Sequence, residues 1–557
     1  MKSNISYIAL SILLLMGCKK EAFLDRYPMD ALSEPTYFKN ENDLKLFCNT
    51  LYTTLPEQSF PGDVNSDIMV PKSKFAFWAD QYVVPVSGGF WSSSDWATIR
   101  SCNYFLSRYK VADASNDVKS KYAAEARFFR AHSYWGKVKL FGDVPWMGSY
   151  IVDTSYLLYA KRDPRKMVMD SVLSDLNFAI NNLPLPEKAE SGRLHKYAAM
   201  ALKARICLWE GTHRRYFGEG DDVVYLQEAA SNAEAIRSAG LYDVYSTGNP
   251  DKDYYNLFIQ QELLNNKEAI FPMRYLKDVR MNNISRALGE TNCGYSKSFV
   301  RSYLCTDGLP ISLSHLYKGD DSLDAECINR DPRFKQTIAT RGFVFLVNTD
   351  GSKDTISLPR IGTAVTSTGY QTIKGRSSDI ATWNANQSVL DFFVFRYAEI
   401  LLIEAEAKAE LNTCTQAVID NTINKLRKRV GMPNMVIASL QKDPGSEFPA
   451  LPVLLDEIRR ERKIELAGDG FRSDDILRWK AGKLLENPES ILGMKLLPQT
   501  IAQYKYDVSG MPLDKDSYIR VYTDIISRTW KDKLYLYPIP TQELTLNPNL
   551  LPQNPGW

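Results

Sequence analysis

The stretch FRYAEILLIEAEAKAEL, residues 395–411, decides the fold class. Written on a helix it gathers Ala398, Leu401, Leu402, Ala405 and Ala409 into one stripe and turns Arg396, Glu399, Glu406 and Lys408 mostly elsewhere. Alanine loses no side-chain entropy and lets a neighbouring backbone come close, so the stripe predicts a helix enclosed between other helices. The pattern recurs upstream at Ala124-Glu125-Ala126-Arg127 and at Leu202-Lys203-Ala204-Arg205. No fixed period relates the three copies. They fit degenerate tetratricopeptide-like hairpins with large insertions, and they equally fit three alanine-rich core helices.

Working outward, Tyr122 to Phe141 predicts the first long helix of the array. Gly142 can take a left-handed position at its end, and Pro145 cannot continue it. Residues 167–182 and 192–209 predict one hairpin, residues 224–239 a helix closed by Gly240, and residues 415–430 the antiparallel partner of the opening helix. Nearer the start, Asn40 or Asn42 could cap a helix carrying Leu44, Phe47, Leu51 and Leu55. From about 278 to 389 helical periodicity fades into loops and short strands, with Asn348-Thr349-Asp350-Gly351 as a hairpin turn. In residues 451–482, Glu461 and Glu465 stand one helical turn apart. Arg459, Arg462 and Arg472 lie close by, so the pair reads as part of a buried ion-pair network and not as the acid and base of a hydrolase.

The chain has 557 residues, with 68 Lys+Arg against 66 Asp+Glu. That balance leaves no basic excess to hold nucleic acid. Four histidines, without HExxH or CxxC, leave no zinc motif, and no cofactor is expected. The cysteines lack framework spacing. Aromatics are in surplus: 10 Trp, 31 Tyr and 24 Phe. They crowd residues 59–96, a stretch broken by prolines and glycines into loops, where rings are available to ligands. A sugar offers an apolar C–H face to such rings while its hydroxyls seek amides and carboxylates. The candidate ligand-binding residues are Trp78, Asp80, Tyr82, Phe90 and Trp91, with Tyr295 and Trp383 (and Tyr370 beside them) from the irregular insertion. Ring by ring, a packing role is the alternative.

At the amino terminus a lysine precedes an apolar run, Tyr7 to Met16, that is too short to span a bilayer. It reads as an export signal. Leu15-Met16-Gly17-Cys18 resembles a bacterial lipobox, which makes Cys18 the lipidation site; an incidental cysteine after a cleaved signal is the alternative. With the FLD at residues 23–25, EARFF(R)A and LFGDVPW at 125–146, DGLPI at 307–311, RDPRF at 330–334, the 451–482 segment and the PIP and QNPG ending, the chain resembles the SusD/RagB family of surface glycan-binding lipoproteins of Bacteroidetes. The resemblance implies a mainly α fold, with four tetratricopeptide-like hairpins in a superhelix plus irregular loops and short strands. It divides the chain into a signal peptide, 1–17, and one domain, 18–557. It also implies a role: an outer-membrane lipoprotein, carrying palmitate or a related acyl chain and facing the exterior, that binds a glycan over a TonB-dependent β-barrel transporter without catalysis. A surface hydrolase and a helical scaffold for a peptide or protein partner are the competing functions.

Overall fold

The computed structural model describes residues 37–55, 62–64, 66–152, 155–357, 361, 365–504, 511–523 and 528–557. Cys18, the 1–17 segment, the FLD motif and Asn65 lie outside them. The scaffold helices are α1 (Glu41–Tyr52), α2 (Ala97–Arg108), α3 (Asn116–Phe141), α4 (Arg165–Asn182), α5 (Lys196–Phe217), α6 (Asp222–Ser238), α7 (Tyr397–Glu410), α8 (Gln416–Asn421), α9 (Ile423–Arg429), α10 (Val453–Glu465) and α11 (Arg472–Arg478). Among the described residues the strands come in antiparallel pairs: β1 (Met69–Pro71) with β3 (Cys293–Tyr295), β2 (Ala269–Met273) with β6 (Phe392–Arg396), β4 (Val344–Val347) with β5 (Lys353–Thr355), and β7 (Leu492–Lys495) with β8 (Tyr518–Arg520). The β4–β5 pair is the hairpin read from residues 348–351.

Local signals account for the helix ends. Asn40 caps α1, its side chain accepting from the Asp43 amide at 3.2 Å. Gly142 closes α3 with a φ of 72°. The helices then pack in series, α2 on α3, α3 on α4, α5 on α6 and α6 on α7. The most extensive consecutive pairs are α3/α4 and α5/α6; the 167–182/192–209 pair expected from sequence also packs, α4 on α5, over a smaller contact. Gly211 explains the α5/α6 pair. A Cβ there would meet the Leu226 side chain at 2.8 Å and its amide at 3.0 Å, an approach only glycine allows.

The opening helix, α7, is buried along almost its whole length. Its main neighbour is α6, not the 415–430 segment, which breaks at Thr422 into α8 and α9. The alanine stripe is only half of the reason for its burial. Glu399, Glu404 and Glu406 are buried too, and each reaches an arginine on a different helix: Arg205 of α5 at 2.6 Å, Arg237 of α6 at 2.7 Å and Arg478 of α11 at 2.6 Å. Burial alone would raise the Glu406 pKa, but Arg478, Arg462 and Arg459 outweigh it and hold the carboxyl down at about 2.

Glu461 and Glu465 of α10 do sit in a buried ion-pair network, with partners that sequence proximity misses. Arg333 reaches both, at 2.6 and 3.0 Å, Arg427 pairs with Glu461 at 2.9 Å, and Arg396 and Arg429 each approach Glu465 at 2.6 Å. Arg459, Arg462 and Arg472 turn instead to Glu410, Asp475 and Asp67. The network ties α10 to α9, β6 and the irregular region, and Asp331 on Arg333 and Glu268 between Arg396 and Arg429 bring its carboxylates to four against four arginines.

His195 precedes α5 and caps it: Nδ1 accepts from the Ala198 amide, and Nε2 donates to the Ile270 carbonyl at 2.9 Å. Only the neutral ring can do both, and burial pushes its pKa down to about 4. The unfolded chain, with an ordinary histidine near 6.5, binds the proton first. Stability therefore falls as pH drops from 6.5 towards 4, by up to about 3 kcal/mol from this ring. Urea unfolding of His195→Asn should show a shallower loss over that window than the parent; an identical slope would contradict the assignment.

Candidate functional site

The loop from Lys72 to Trp96 is shaped by its own glycines and by the carboxy-terminal tail. Gly88, Gly89 and Phe90 all have positive φ, at 80°, 55° and 67°. A side chain at Gly89 would strike Pro85 at 2.8 Å. Phe90 holds its strained backbone because the Lys137 ammonium of α3 donates to its carbonyl at 2.6 Å. Burial brings the Lys137 pKa down to about 8, with Asp95 opposing. The tail pins the loop from the other side, the Thr541 and Gln542 amides donating to the Pro85 and Val86 carbonyls at 3.1 and 2.9 Å.

A cluster of rings is fixed by these contacts. Phe77 stacks on Tyr537 with centroids 3.9 Å apart and lies over Trp557 at 5.9 Å. Tyr82 meets Phe77, Tyr537 and Trp557 edge-on at 5.3 to 6.0 Å, and Phe90 meets Tyr537 edge-on at 5.4 Å. Such pairs are worth about 0.5–1.5 kcal/mol each beyond area burial, so the cluster is rigid. Its outer members are open: Phe90 is 50% exposed, and Phe75, Tyr82 and Trp557 are half-buried. Asp80, itself at a positive φ of 53°, pairs with Lys531 and with Lys533 at 2.9 Å. The two lysines hold its carboxylate below the usual range. Rings and a charged hydrogen-bonding edge are thus presented together on one platform, suited to an amphipathic, hydroxyl-rich ligand.

The sequence-predicted residues divide accordingly. Tyr82, Phe90 and Asp80 belong to the platform. Trp78 and Trp91 are 7% and 6% exposed, and their role is support: Trp78 packs on Trp530 at 5.2 Å, and Trp91 meets Phe141 and Trp96 edge-on. Tyr295 is fully enclosed, stacked on Phe299 in a second core, and Tyr370 is likewise enclosed, donating to Glu326. Neither offers a ring face to a ligand. Trp383 stands on a different cluster, against Phe345 and the backbone of Gly289 with Arg376 over it. Sequence reading missed the tail's share, Lys531, Lys533, Tyr537 and Trp557. The signal was present, as aromatics interleaved with prolines over residues 530–557, but nothing local says which loop they meet. Among the described residues no group of three or more His, Cys, Asp or Glu is placed to hold a metal ion, and the seven described cysteines are all free thiols.

Residues 265–557 match the model of the SusD family, and residues 22–208 match a family described as starch-binding and associating with the outer membrane. SusD-like protein P2 of Formosa agariphila is 25% identical over 586 residues, spanning the whole of both chains. The solved structure of a SusD-like protein from Bacteroides fragilis, 25% identical, superposes with a TM-score of 0.73 over 96% of this chain and all of that one. A SusD-like carbohydrate-binding protein of the same species, 22% identical, gives 0.71 over 93% and 100%.

Proposed function

Because the chain belongs to the SusD family, we propose that it is a cell-surface lipoprotein that binds an oligosaccharide or polysaccharide and delivers it, uncut, to a TonB-dependent outer-membrane transporter. The observation that carries the reading is the platform itself: Phe90, Tyr82 and Phe75 outward on a rigid aromatic base, with Asp80, Lys531 and Lys533 at its edge. Pyranose C–H faces stack on such rings while hydroxyls exchange hydrogen bonds with the charged edge. Relatives named for starch or carbohydrate binding support the ligand class. The lipobox-like Leu15-Met16-Gly17-Cys18 supports export and acylation at Cys18, and the family's association with the outer membrane supports the location and the barrel partner. The paired state of Glu461 and Glu465 supports binding without hydrolysis, since neither carboxylate is free to act as acid or base.

The test is a panel of soluble polysaccharides titrated into the chain beginning after Cys18. Tyr82→Ala and Phe90→Ala should each weaken the polysaccharide that binds by about tenfold, equivalent to ~1.4 kcal/mol. Unchanged affinity in both variants would remove the platform from the site, and release of shorter products during the titration would end the non-catalytic reading.

A further inference from the structure

A cavity of about 350 Å³ opens between the helical array and β6, and it shares no residue with the ring platform. Its size suits a small ligand. Helix α3 supplies His132 and Lys139, α5 supplies Arg205, β6 supplies Phe393, Phe471 stands immediately before α11, and α11 supplies Asp474. Phe393 and Phe471 are half-buried, so part of each ring remains accessible.

The charges around the cavity cancel in pairs. Arg205 grips Glu399 through two bonds of 2.6 Å, Lys139 holds Asp474 at 2.7 Å and Arg396 holds Asp469 at 2.9 Å. Three cations against three carboxylates leave no net attraction for an ionic ligand, while the paired groups keep lone pairs and N–H donors to spare. His132 differs from them: among the described residues no hydrogen bond engages its imidazole, and Trp135 lies beside it at 6.3 Å. Burial, together with the nearby Arg205 and Lys139, brings its pKa down to about 4, so the ring is neutral at physiological pH. A neutral imidazole offers one donor and one acceptor, the complement of a hydroxyl pair.

We propose that this cavity is a second binding site, which takes one or two pyranose units of an uncharged saccharide with Phe393 and Phe471 against its C–H faces and His132 and Asp474 against its hydroxyls. The saccharide class rests on the function proposed above; the location does not. The experiment is calorimetric titration of the chain beginning after Cys18 with maltose, cellobiose, laminaribiose and lactose. At least one should bind with one-to-one stoichiometry. His132→Phe, which keeps a ring, and Asp474→Asn, which keeps the shape, should each weaken it about tenfold, while Lys45→Ala, at an exposed ion pair outside both sites, leaves it unchanged. Absence of disaccharide binding, or parental affinity in both cavity variants, overturns the proposal. If Tyr82→Ala loses a polysaccharide while no disaccharide binds, the cavity falls and the platform stands; if disaccharides bind through His132 but Tyr82→Ala and Phe90→Ala keep parental polysaccharide affinity, the platform falls and the cavity stands.

Discussion

Glu465→Ala should lower the unfolding free energy by about 3–5 kcal/mol, the cost of breaking a buried ion pair from one side. The side chain is fully buried and meets Arg333, Arg396 and Arg429 at 2.6 to 3.0 Å. Burial works against its ionisation, yet Arg429, Arg396 and Arg333 hold its pKa well below the ordinary carboxylate range. Alanine would leave three guanidiniums in the interior without that counter-charge, and the protein cannot rehydrate them without opening. Glu465→Gln should be destabilising in the same direction, because the amide keeps the volume and loses the charge. Lys45→Ala, at the exposed Lys45–Glu190 pair, should stay within about 1 kcal/mol. Urea denaturation of the three variants checks the contrast; a Glu465→Ala midpoint equal to that of Lys45→Ala would mean the network is not stabilising.

Trp91→Ala should cost about 3–5 kcal/mol of stability, the range for removing a large buried aromatic ring. Trp91 is enclosed between Phe141 at the end of α3 and Trp96 at the start of α2, with centroids at 4.7 and 5.2 Å. The cavity would lie directly beneath the strained turn that carries Phe90, so glycan binding should fall as well, through the supporting structure and not through a lost contact. Thermal unfolding separates the two cases: Phe90→Ala, at a half-exposed ring with a single ring contact among the described residues, weakens binding with little change in Tm, whereas Trp91→Ala lowers both. A Trp91→Ala protein of parental stability that fails to bind would place the indole against the ligand instead.

The contrast between Trp91 and Phe90 shows where sequence reading stops. Both stand in the same glycine-broken loop, one residue apart, and composition treats them alike. They are separated by a left-handed backbone at Phe90, held there by a lysine of α3 and by tail residues Thr541 and Gln542. Glu461 and Glu465 make the same point about charge. That they would be paired was legible from the density of arginines around them; the partners that pair with them come from Arg333, Arg396, Arg427 and Arg429, which only folding brings near.

Local pattern by itself determined the helical class, the helix stop at Gly142, the loss of periodicity between about 278 and 389, and the family, because helix periodicity, capping and short motifs are properties of neighbouring residues. It narrowed the first cap to Asn40 or Asn42, and the fold chose Asn40. Tertiary structure alone decided which helices pair, which rings face outward and which remain in the core, and where a cavity opens between α3, α5 and β6. The physical reason is that exposure and charge pairing are set by contacts between segments far apart in the chain. The stacking of Phe77 on Tyr537 and the grip of Lys137 on Phe90 have no counterpart in any window of sequence.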